Sequence, residues 1–160
     1  RIMSFFSPSK GKLELTEVVE DILAYIREDM SHSYKLIVGS DSHPRVTNTC
    51  FVSAIIIHRQ GKGARYYYNK IYEVRVKSLR QRIFYEASLS LELADQLEQL
   101  LRLKGCEYME VEIHLDIGTH GETKELIREI TGMVIGCGFS PCIKPHACAA
   151  SKVADRHTKY

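Results

Sequence analysis

An α/β fold built on a five-stranded mixed sheet is what this chain predicts, and three observations carry the expectation. Residues 34–40, 49–59 and 64–76 are rich in β-branched and aromatic side chains and are joined by short turns, which reads as a three-strand antiparallel meander. From residue 78 onward the apolar spacing switches to the helical period, and strand and helix then alternate to the end. No repeat, low-complexity tract or Pro/Gly-rich linker interrupts the 160 residues, so residues 1–160 read as a single domain.

The elements follow in order. Val18, Val19, Ile22, Leu23 and Ile26 recur at helical spacing, which predicts a helix over 13–27. It makes residues 1–32 a helical N-terminal extension packed on the domain. Residues 34–40 (YKLIVGS) form the first strand; Pro44 ends it and leaves Asp41 at its carboxyl end. Residues 60–63 (QGKG) turn the second strand into the third. Ser78 caps a long helix that Gly105 closes. Its apolar face gathers Leu79, Ile83, Ser90, Leu93, Ala94, Leu97 and Leu101, and Glu86 lies in the middle of that face. Residues 108–118 (YMEVEIHLDIG) alternate with a period of two and end on Asp116. Thr119 and Glu122 have capping-box spacing ahead of a helix carrying Leu126, Ile127, Ile130, Met133 and Val134. Residues 139–145 give a last strand and 147–157 an Ala-rich last helix bearing Asp155. Right-handed crossovers make the two later strands parallel to the first, which sets Asp41 and Asp116 side by side at the carboxyl edge of the sheet.

Composition bounds the class. With 44% hydrophobic and 26% charged residues, the chain suits a folded globular protein rather than a disordered or fibrous one. No apolar run reaches the ~20 residues of a membrane span, no signal pattern opens the chain, and five cysteines without a CxxC pair suit reduced thiols, so a cytoplasmic protein is expected. A net charge of +2 is too small to argue for nucleic acid in bulk. Cys137, Cys142, His146 and Cys148 form a close N/S set that could hold zinc; the plainer reading is small buried thiols and one histidine.

Four acids carry the chemistry. Asp41, Glu86, Asp116 and Asp155 fall on strand, helix, strand and helix in that order. A carboxylate at the edge of a core is costly unless a cation compensates it, and divalent ions held by several carboxylates are a common solution. Plainer readings exist: Glu86 paired with an arginine, and Asp155 exposed between Lys152 and Arg156.

The segments VGSDSH at 38–43, VEIHLDIGTHGETKELIREITGMVIGCGF at 111–139 and IKPHACAASKVADRHTK at 143–159 resemble the RNase H-like superfamily, and more closely the YkuK family of bacterial proteins, classed as predicted RNase H-like nucleases. The resemblance implies an RNase H-like fold whose four acids, Asp41, Glu86, Asp116 and Asp155, hold two Mg²⁺ or Mn²⁺ ions and hydrolyse phosphodiesters of nucleic acid. His43, His114 and His120 would then be auxiliary groups for proton or phosphate, and His146 stands where an acid is common in the family. Arg75, Lys77, Arg80 and Arg82 would contact backbone phosphates. The alternative is a non-catalytic module that binds nucleic acid or protein on the same fold.

Overall fold

The computed structural model describes residues 3–74, 76, 78–106, 109–118, 121–144, 153, 156 and 157. Within them the elements run β1 (Ser4–Ser7), β2 (Gly11–Glu14), α1 (Leu15–Glu28), β3 (Tyr34–Pro44), β4 (Asn48–Arg59), β5 (Gly63–Val74), α2 (Leu79–Leu103), β6 (Val111–His114), a 3₁₀ turn (Gly121–Leu126), α3 (Ile127–Gly136) and β7 (Ser140–Cys142). The sheet has seven strands in the order β2-β1-β5-β4-β3-β6-β7, not the five expected.

The two additional strands come from the N-terminus. Phe5 and Ser7 point inward, and Pro8 to Gly11 turns the chain so that Ser4–Ser7 and Gly11–Glu14 pair antiparallel. Gly11 sits at φ +73°, a conformation that glycine adopts without strain. β1 then pairs with β5 through Phe6 and Tyr68, so the segment before α1 is a hairpin that extends the sheet rather than a helical extension. Leu13, counted above into the helix, belongs to β2. The chain enters α1 through a capping box in which the Glu14 N–H donates to the Glu17 carboxylate at 2.9 Å.

β3, β4 and β5 form the expected antiparallel meander, and β6 and β7 join parallel to β3. Strand alternation sorts the side chains cleanly. Leu36, Val38, Ile55, Ile57, Tyr67, Val111 and Ile113 face α1, α2 and α3 in the main core; Ile37, Ala54 and Ile56 form a smaller cluster with Val153 on the opposite face. Ser78 caps α2 by accepting from the Gln81 N–H, and Gly105 leaves the helix at φ +82°. Two ends differ from expectation. β3 continues through Asp41 to Pro44, paired with β4, whereas β6 stops at His114. The helix expected over 147–157, and Asp155 on it, lie outside the described residues apart from Val153, Arg156 and His157, which are helical.

Among the described residues no helix is long and apolar enough to cross a membrane. The N-terminal hairpin supplies a direct test of its place in the core. Phe5 is 0% exposed and Phe6 44%. Phe5→Ala is expected to lower unfolding free energy in urea by about 3–5 kcal/mol, and Phe6→Ala by under about 1 kcal/mol. Equal effects would mean that the hairpin lies outside the cooperative core.

Candidate active site

The site begins where β6 ends. β3 pairs with β6 in parallel register as far as Gly39 opposite His114, and Asp41 and Asp116 each lie two residues beyond that last pair. Asp41 is therefore still inside β3, and the open edge arises because its neighbour has stopped. Leu115 and Ile117 stay in the main core, so Asp116 shares the opposite side of the chain with Glu112 and His114. Asp41 falls on that same side, alternating with Ser40 and Ser42.

Glu86 arrives from the other face. The Ser90 hydroxyl donates to Ser40 Oγ at 2.8 Å, Ser40 shares a 2.8 Å hydrogen bond with Ser53 of β4, and the Ser42 hydroxyl donates to the Glu86 carboxylate. These contacts hold α2 against β3 and bring Glu86 to the edge. Asp41 and Glu86 are each 9% exposed. Burial pushes the Glu86 carboxyl up to about 8; the Ser42 hydrogen bond and the Arg82 charge pull it down, while the Asp41 and Asp116 charges add to the rise. Asp41 Oδ1 accepts from the Ser42 N–H at 2.9 Å, and His43 Nε2 lies 3.8 Å from Asp41 Oδ2.

A cation already stands here. Lys144 Nζ is 2.7 Å from Asp116 Oδ1. Its ammonium is held above the ordinary lysine range, first by the hydrogen bond to Asp116 and then, against its own burial, by the charges of Asp116, Asp41 and Glu86. A gap of about 10 Å³ lined by Ser40, Glu86, Ser90, His114 and Asp116 separates α2 from the sheet, about the space of one water.

The donors fit a hard divalent ion. They are oxygens throughout, and the Glu86 carboxyl is raised first by burial and further by the Asp41 and Asp116 charges, so a cation among them would favour its ionised form. Glu86 feels the charges of Asp41 and Asp116, yet among the described residues the His, Cys, Asp and Glu donor atoms that lie within 4.8 Å of one another as a set belong to Glu112, His114 and Cys142.

The remaining expected residues divide. His114 is buried with Nε2 at 2.7 Å from Glu112, and Arg80 is ion-paired with Glu129 at 3.0 Å. Arg82 is half-buried within electrostatic reach of Glu86. Of the expected zinc set, Cys137 caps α3 and Cys142 lies on β7 beside His114. Asp155, His120, His146, Cys148, Arg75 and Lys77 lie outside the described residues. Sequence reasoning missed Ser42 and Lys144. For Ser42 a signal existed: Ser40 and Ser42 repeat at the strand period, and Glu86 and Ser90 at the helical one. For Lys144 none did, because its partner depends on the register of β7 against β6.

Comparison with known proteins agrees with this architecture. Residues 17–159 match the family model described as Ribonuclease H-like, a span that begins inside α1. The uncharacterized protein YkuK of Bacillus subtilis (strain 168) is 34% identical, with 97% of this chain and 96% of that protein covered. No solved structure matches. The shared span covers the meander, α2, the two parallel strands and all four acids, and the chain belongs to the ribonuclease H-like family.

Proposed function

We propose that this chain is a metal-dependent nuclease that hydrolyses phosphodiester bonds of nucleic acid. The observation that supports the reading is that buried Glu86 of α2 feels the charges of Asp41 and Asp116, which lie just beyond the last β3–β6 pair. Asp41, Glu86 and Asp116, with Asp155, would hold two Mg²⁺ or Mn²⁺ ions. Bound there, the ions supply Lewis-acid activation of water and charge for the leaving oxygen.

The chain's own groups do the rest. Ser42 orients Glu86 through its hydroxyl and Asp41 through its N–H, so one residue fixes two carboxylates. His43, beside Asp41, is placed to move a proton between the site and solvent. Lys144 adds positive charge where a phosphate would approach.

A second reading has its own support. The Lys144–Asp116 ion pair satisfies one carboxylate without any metal, as a module that binds but does not cleave would allow.

The two readings part in one assay. With labelled DNA and RNA and Mn²⁺, Asp41→Asn and Asp116→Asn are expected to lower the hydrolysis rate by about a thousandfold or more, with circular dichroism unchanged. Metal-independent binding with no cleavage by the wild type would support the module instead.

A stability measurement follows from Glu86. Its folded value of about 8 exceeds the ordinary 4.5, so the folded state holds an extra proton between the two. The stability this gives is fully present below the ordinary value and is lost as pH rises through about 8. In EDTA, Glu86→Gln should therefore melt several degrees above wild type at about pH 9 and show no such gain at about pH 5. An equal shift at both pH values would show that burial of the charge is not the cause.

A further inference from the structure

The parallel pair β6 and β7 carries a second donor set that the acid cluster does not use. Glu112 and His114 are two apart on β6 and share a face, and Cys142 of β7 is the register partner of His114. One oxygen, one ring nitrogen and one sulfur from these residues lie within 4.8 Å of one another. Tetrahedral zinc with N, O and S ligands spaces its donor atoms roughly 3.3–3.9 Å apart, a spacing on the same scale as this set.

His114 supplies the independent observation. The residue is 7% exposed, its Nε2 faces Glu112 Oε1 at 2.7 Å, and its Nδ1 is buried with no hydrogen-bond partner. Nε2 and Glu112 Oε1 therefore lie together as two ligands of one ion would, on the side of the ring away from Nδ1. The second Glu112 oxygen is held by Lys35 at 3.5 Å, which fixes the carboxylate from the far side.

We infer that Glu112, His114 and Cys142 form a site for a borderline transition-metal ion of the zinc class, separate from the oxygen-only cluster of Asp41, Glu86 and Asp116. Thiolate and imidazole select zinc or cobalt over magnesium, which the carboxylates favour. Three protein ligands leave a fourth position to water, and binding releases the thiol proton. The ion would tie β6 to β7 two residues before Asp116 and Lys144, the paired groups at the edge of the acid cluster. The site stands whether or not the chain cleaves nucleic acid.

Cobalt reports on it without an activity assay. The metal-free full-length protein, kept in excess Mg²⁺, is titrated with Co²⁺ and read by absorption. One equivalent is expected to produce a near-ultraviolet thiolate-to-cobalt charge-transfer band and visible bands of tetrahedral strength, both reversed by Zn²⁺. Cys142→Ser should abolish the charge-transfer band, and Asp41→Asn should leave it intact. Glu112→Gln, which keeps the side chain's size, should weaken Co²⁺ binding about tenfold or more. Absence of the band in the wild type, or its survival in Cys142→Ser, overturns the inference. Unchanged affinity in Glu112→Gln overturns the part assigned to the carboxylate.

Discussion

The hydroxyl contacts that lock α2 to β3 are the constraint on which the rest of the site depends. Ser40 meets Ser90 and Ser42 meets Glu86: two residues forward on the strand correspond to four residues back on the helix. Two strand residues span about 6.6 Å and four helical residues about 6 Å, so the pairs match only if the helix runs antiparallel to the strand at close to one height. A helix between two parallel strands must run that way. The buried hydroxyls convert this general requirement into a fixed position, because sliding α2 by one turn would carry either Glu86 or Ser90 past its serine and leave it without that partner in a dry interface. Apolar contacts alone would tolerate such a slip far better.

The position of β7 against β6 works in the same way along the opposite edge. The register pairs Glu112 with Ser140 and His114 with Cys142, and the next step brings Lys144 to Asp116. A file of polar groups, Glu112, His114 and Asp116, thus runs along one side of a segment whose other side is apolar, with Lys35 of β3 joined to its near end. Glu112 and Asp116 meet charge with charge, and His114 Nε2 meets Glu112, while His114 Nδ1 is left buried without a partner. Lys144, at the end of the file, also feels the charge of Asp41, so the electrostatics of the site are continuous with the pairing of the last strand.

How much of this was legible in the sequence depended on whether a local rule or a long-range register decided it. Ser78 and Gly105 carry their helix ends alone, and the stripe around Glu86 needs only the helical period. The meander was readable for the same reason. The N-terminal hairpin was not, because Leu13 fits the apolar period of α1 as well as the alternation of β2, and only pairing with β5 decides between them. Pro44 misled in the other direction. It ends a strand in sequence terms, yet it sits as the last residue of β3 because β6 has already left that side and asks for no N–H there. The Glu112–His114 pair needs only the two-residue period of β6, whereas the Lys35 and Lys144 partners of Glu112 and Asp116 depend on how β3 and the segment after β7 are laid beside β6.

The two faces of the sheet impose a last condition. Glu86 approaches from the face covered by α1, α2 and α3, whereas Asp41 and Asp116 alternate onto the other. Inside a continuous sheet these groups could not meet, because the backbone of β3 and β6 would stand between them. They come within electrostatic reach only because β6 ends at His114 while β3 runs on to Pro44. Glu86 meets Ser42 on the α2 face and feels the Asp41 charge from there. Lengthening the β3–β6 ladder by two residues would close the open edge, seal Glu86 on its own face and leave a buried carboxyl with no charge to share. Strand length, more than the identity of any one acid, determines whether this arrangement of carboxylates can act as a site.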